Sequence, residues 1–73
     1  MTAPMTTDPR IHRVRPSGRA DEAWEEVAGP WLFERYGDAW CAIKRINQMR
    51  RPSPGNPFPT LDQAVRCALE EAS

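Results

Sequence analysis

Apolar residues recur through the middle of the chain in a pattern that fits two periodicities at once. In the stretch WLFERYGDAWCAIKR, residues 31–45, a helical projection gathers Leu32, Phe33, Tyr36, Ala39, Trp40, Ile43 and the following Ile46 within an arc of about 140°, opposite Glu34, Gly37, Asp38, Lys44 and Arg45. Read as strands, the same stretch breaks at Gly37-Asp38, a two-residue loop with glycine first, as a type II′ hairpin turn requires. That loop sets a register. Tyr36 faces Ala39, Glu34 faces Cys41 and Leu32 faces Ile43 on one side; Arg35 faces Trp40, Phe33 faces Ala42 and Trp31 faces Lys44 on the other. Glycine inside a helix costs about 1 kcal/mol relative to alanine, and aromatic residues suit strands. The hairpin is therefore the favoured expectation, with a helix as its alternative.

The last segment, TLDQAVRCALEE at residues 60–71, has a single reading. Thr60 followed by Gln63 forms a capping box, and Asp62 sits in the first turn, where the helix dipole favours an acid. Leu61, Ala64, Val65, Ala68, Leu69 and Ala72 share one arc of about 140°, while Cys67 falls on the polar side. The alanines at spacing four make a shallow groove that accepts the large rings of the hairpin face carrying Trp31, Phe33 and Trp40. The expected architecture is small α+β, a β-hairpin packed on a C-terminal amphipathic helix, with a disordered N-terminal arm. An all-α arrangement of two or three short helices is the alternative.

The remaining segments are weaker in pattern. MTAPMTTDPR has two prolines and no apolar period, so it is expected to lie outside the core. RIHRVRP is at best an edge strand or part of the arm. DEAWEEVAG reads as a short helix or turn ending at Gly29 before Pro30. RRPSPGNPFPT, with four prolines, reads as a long stiffened loop. These assignments divide the chain into a flexible basic arm at residues 1–19 and a single small domain at residues 20–73.

Length limits what such a domain can do. With 73 residues, roughly 60% of the unfolded surface is buried on folding, enough for one modest core. No apolar run approaches the roughly 18 residues of a membrane span and no secretory signal pattern opens the chain, so a cytoplasmic protein without membrane contact is expected. Cys41 and Cys67 stand far apart and His12 is the only histidine, which leaves a structural zinc site without ligands in any usual spacing. Two reduced thiols, no metal and no cofactor are the expectation. His12 lies among arginines with no nearby nucleophile, and no glycine-rich phosphate loop is present; the chain is expected not to be an enzyme.

Charge sums to zero but is segregated. Arg10, Arg13, Arg15 and Arg19 against Asp8 give the first 19 residues +3; Asp21, Glu22, Glu25 and Glu26 make the next ten −4; Lys44, Arg45, Arg50 and Arg51 form a +4 block. Arg10, Arg13 and Arg15 suit a flexible binding arm, and Lys44, Arg45, Arg50 and Arg51 suit an exposed patch beside the proline-rich loop. Trp24, set among Glu22, Glu25 and Glu26, is a candidate interface anchor, with docking onto the hairpin as its structural alternative. These eight residues are the candidate partner-binding set. Zero net charge argues against bulk attraction to nucleic acid, which is kept as a secondary partner.

In its length, in the bias of MTAPMTTDPR and RRPSPGNPFPT, and in the compact unit formed by WLFERYGDAWCAIKR and FPTLDQAVRCALEE, the chain resembles the very small regulators that bacteriophages, those of Xanthomonas included, make to take over host transcription. The resemblance implies a non-enzymatic protein in the host cytoplasm, and a monomer is expected. It would bind the large subunits of bacterial RNA polymerase, inhibit initiation and act on termination. No functional residue is carried over by it. Inhibition of another host complex and direct nucleic-acid binding are the alternative functions.

Overall fold

The computed structural model describes residues 8–71 and contains a five-stranded antiparallel sheet followed by one helical segment, a small α+β fold. The strands are β1 (Ile11–Val14), β2 (Glu22–Glu26), β3 (Trp31–Tyr36), β4 (Ala39–Ile46) and β5 (Met49–Pro52), and each pairs with the next in chain order. The helix α1 (Leu61–Arg66) continues as a π-helical turn over Cys67–Glu71.

The central hairpin has the register expected from its loop. Tyr36 pairs with Ala39, Arg35 with Trp40, Glu34 with Cys41, Phe33 with Ala42, Leu32 with Ile43 and Trp31 with Lys44. Gly37 turns the chain at φ +64°, a conformation that glycine reaches without a Cβ clash. The turn is tied down when the Gly37 N–H donates to Asp21 Oδ2 at 2.8 Å and Arg35 Nη1 donates to the Gly37 carbonyl at 2.9 Å. The all-α alternative does not hold.

The core lies between this hairpin and the helix. Ile11, Trp24, Trp31, Phe33, Trp40 and Ala42 of the sheet meet Ala64, Val65 and Ala68 of the helical segment, and Phe58, Leu61 and Leu69 close the margin. Large rings thus fill the space that the alanines leave, with Trp31 and Phe33 stacked at 6.4 Å and 18°. Thr60 caps the helix, its Oγ1 accepting from the Gln63 N–H at 3.1 Å. Ala72 lies outside the described residues.

Three expectations need correction. Residues 11–14, read as an edge strand at best but placed within the arm, form the edge strand β1, and Ile11 is buried in the core. The ordered sheet therefore begins inside the stretch divided off as 1–19, and the disorder expected at the start of the chain falls mainly on residues outside the described ones. Residues 22–26 form β2 instead of a short helix or turn. Acid-rich and short, they are held as a strand by neighbours on both sides, with Trp24 between Arg13 of β1 and Phe33 of β3. The proline-rich segment opens as β5 and then tracks the edge of β4.

That tracking completes β4. Beyond Pro52 the Ser53 N–H donates to the Ala42 carbonyl at 2.9 Å, and the Asn56 side chain stands in for a strand, Oδ1 accepting from the Ala42 N–H and Nδ2 donating to its carbonyl, both at 3.0 Å. Phe58 and Trp40 then exchange backbone bonds at 2.8 and 2.6 Å. Every residue of β4 from Trp40 to Ile46 is thereby flanked, which a buried strand beside fully buried Ala42 requires.

At the far end of β4 the chain reverses through Asn47 (φ 52°) and Gln48 (φ 68°). Two consecutive positive φ values define the primed turn in which Asn-Gly is preferred, and Gln48 occupies the glycine position. A side chain in the left-handed region costs about 1 kcal/mol. Gln48→Gly is expected to stabilise the fold by about 0.5–1 kcal/mol, read as a higher urea midpoint at unchanged slope. An unchanged or lower midpoint would contradict the turn assignment.

Candidate functional site

Alternation along β4 and β5 decides where the basic block goes. Lys44 pairs with Arg51, Arg45 with Arg50 and Ile46 with Met49, so adjacent residues point to opposite faces of the two-stranded ribbon. Strand β3 starts at Trp31, opposite Lys44, and the last backbone tie on that side is the Arg45 N–H to the Pro30 carbonyl at 3.0 Å. Past it, the ribbon has no third strand among the described residues. It leaves Ile46 39% and Met49 55% exposed.

On the face that the helix leaves open, the ribbon is tied back to the sheet. Arg45 reaches from β4 past β3 to Glu25 on β2, at 3.2 Å, and His12 Nε2 approaches the same carboxylate at 3.9 Å. Arg50 reaches from β5 past β4 to Glu34 on β3, at 2.5 Å. Arg45 thus passes over β3 on the face of Leu32, and Arg50 passes over β4 on the face of Ile43. Leu32 and Ile43 are buried on this face, where long arginine side chains can cover apolar surface with their aliphatic stems.

Glu34 is the one charged residue buried to 1% exposure among the described residues. Its Oε1 accepts from the Tyr36 hydroxyl at 2.7 Å as well as from Arg50. The hydrogen bond to Glu34, then burial, then the carboxylate's charge raise the Tyr36 pKa above its ordinary value, against a smaller opposing effect of Arg50. For Arg50, burial pulls downward but the Glu34 charge and hydrogen bond outweigh it and hold the guanidinium more firmly protonated.

Tyr36 is the only tyrosine, so the absorbance of ionised phenol reports on it alone. Its midpoint is expected above about 10, and Glu34→Gln should bring it back towards that value. Because the folded-state pKa is the higher one, this group's contribution to stability is present below the unfolded value of about 10 and disappears as pH rises through the folded one. A parent midpoint at or below 10 would contradict the geometry.

The other candidates are placed as follows. Arg10 is bound to Asp8 at 2.8 Å and to Glu70 at 3.0 Å, joining the start of the sheet to the end of the helix. Its hydrogen bond holds the Asp8 carboxyl below the usual carboxylate range. Arg13 and Arg15 are exposed beside the β1 edge. Trp24 is buried in the core, its Nε1 donating to Glu22 at 2.8 Å; as an interface anchor it is withdrawn, since its ring has no surface to offer. Lys44 Nζ stands over the Trp31 ring, 5.8 Å from its centroid, and Arg51 is exposed without an ion pair among the described residues.

The structure therefore brings Lys44, Arg45, Arg50 and Arg51 onto one ribbon and leaves Arg10, Arg13 and Arg15 elsewhere. It adds Ile46 and Met49, for which the only local signal was Asn47, a residue suited to a tight turn between them. Cys41 and Cys67 are free thiols, and among the described residues no group of three or more His, Cys, Asp or Glu is placed to hold a metal ion. No helix among them is long and apolar enough to cross a membrane. Compared with protein-family models, with curated protein sequences and with solved structures, the chain matches none.

Proposed function

We propose that this is a non-enzymatic, monomeric binding protein whose β4–β5 ribbon engages an acidic surface of a large protein partner, and that the partner is bacterial RNA polymerase, bound through its large subunits so as to inhibit initiation and affect termination in the host cytoplasm. One observation carries the reading. Four cations and an exposed Ile46–Met49 pair share a projecting two-stranded element, a combination of charge for steering and apolar area for affinity. Purified polymerase, with and without its sigma factor, is the direct probe. Capture of the large subunits by the immobilised chain is expected, weakened at least about tenfold by Ile46→Thr with Met49→Thr, a loss of about 1.4 kcal/mol. Recovery of no polymerase subunit removes this target.

A second reading has its own support, because a cationic two-stranded ribbon also fits the major groove of DNA. It predicts affinity that falls steeply with salt, with a log–log slope of about −0.9 per phosphate contacted. A flat titration at low salt ends it.

A further inference from the structure

The two faces of the ribbon differ in chemistry. Arg45 and Arg50, opposite one another on the open face, are each joined to an acid of the sheet, Glu25 and Glu34. Lys44 and Arg51 are opposite one another on the helix side, and Ile46 and Met49 form the next rung on that same side towards the turn. Neither Lys44 nor Arg51 has an acidic partner among the described residues, and the Trp31 ring beneath Lys44 leaves its charge unneutralised. Trp31 belongs to the core. The apolar surface thus runs from the core through Trp31 to an Ile46–Met49 pair that no element among the described residues covers.

Resting on the ribbon as the binding element, we propose that its recognising face is the Lys44–Ile46–Met49–Arg51 side and that the occupant is a short protein segment carrying a carboxylate beside a bulky apolar side chain. The two rungs are two residues apart along the strands, about 6.6 Å. That separation matches an acid and an apolar residue at i and i+2 of an extended segment. A purely apolar occupant would strip water from Lys44 and Arg51 with nothing to replace it. A phosphate backbone would use the two cations but gain nothing from Ile46 and Met49, and it would draw equally on Arg45 and Arg50 once it displaced Glu25 and Glu34. Only the mixed segment uses every exposed group on one face.

The test uses the full isotope-labelled chain and three probes: a peptide repeating Glu-Ser-Leu-Ser, a peptide of the same length repeating Glu-Ser-Glu-Ser, and a short DNA duplex. The mixed peptide is expected to shift the Ile46 and Met49 methyl signals and the Arg51 Nε–H signal, leave the Arg45 and Arg50 Nε–H signals in place, and bind at least about tenfold more tightly than the acid-only peptide. Lys44→Glu with Arg51→Glu, both exposed or half-exposed positions, should transfer the preference to a Lys-Ser-Leu-Ser repeat while the far-UV circular dichroism of the fold stays unchanged. Equal binding of the acid-only peptide, tighter binding of the duplex, movement of the Arg45 and Arg50 signals, or no binding of the mixed peptide overturns the proposal. Polymerase capture separates the two conclusions. Peptide binding on this face without polymerase recovery refutes the target and leaves the face, whereas capture unaffected by the double charge reversal refutes the face and leaves the target.

Discussion

Phe33→Ala is expected to leave the protein largely unfolded, or within about 1–2 kcal/mol of its unfolding midpoint, at 25 °C. Phe33 is fully buried at 0% exposure on the central strand β3. It lies between Trp24 of β2 and Ala42 of β4 in the cross-strand register and stacks on Trp31. Removing a buried phenylalanine typically costs about 3–5 kcal/mol, because the lost transfer free energy adds to that of an unfilled cavity. A chain of this size rarely has more than about 3–5 kcal/mol in total from a single core. The flanking residues cannot collapse into the gap: Trp24 is held by its hydrogen bond to Glu22, and the Ala42 N–H and carbonyl are both held by the Asn56 side chain, the carbonyl also by the Ser53 N–H. Urea unfolding followed by tryptophan fluorescence reads the effect well, since Trp24, Trp31 and Trp40 all belong to the same cluster. Phe33→Leu should keep most of the stability. A Phe33→Ala protein within 1 kcal/mol of the parent would mean that the cluster is not the principal source of the fold's stability.

What could be read from the chain beforehand follows the range of the interactions. The hairpin at Gly37-Asp38 and the helix from Thr60 are specified locally, by a turn residue that sets register and by a cap followed by one apolar stripe, and both form as expected. Strands β1 and β2 carry little such information. Glu22 and Glu25 are poor strand formers alone, and β2 is held by its ladders to β1 and β3 and by buried Ala23 and Trp24, with Arg35 and Arg45 meeting the two acids from β3 and β4. Strand β5 is disguised by Pro52 at its end, and the pairing of Asn56 with Ala42 depends on residues 14 positions apart. The basic block shows the same limit at the candidate site. Spacing along the chain makes Lys44, Arg45, Arg50 and Arg51 one patch, but strand alternation sends them to two faces and gives them two roles.

The difference between the two neighbouring arginines of β5 leads to the second large effect. Arg50→Met is expected to destabilise the fold by about 2 kcal/mol, whereas Arg51→Met should stay within about 0.5 kcal/mol of the parent. Arg50 is the only cation on Glu34 among the described residues, and Glu34 is 1% exposed. Breaking a buried ion pair from one side costs about 3–5 kcal/mol, since the remaining charge keeps its desolvation penalty. The smaller figure applies because the Arg50 side chain is 53% exposed, so water screens part of the attraction. The Tyr36 hydroxyl still donates to Glu34 in the variant. Glu34→Gln combined with Arg50→Met should recover most of the loss, because an amide in place of the carboxylate removes the stranded charge while still accepting from Tyr36. Urea midpoints for the four members of this cycle measure the coupling directly, and additive effects would show that the pair is not energetically linked. The same set separates folding from recognition. Arg50 variants that bind poorly are expected to be unstable as well, while Arg51→Glu should lose affinity at unchanged midpoint, since its guanidinium has no acid to leave behind in the free protein.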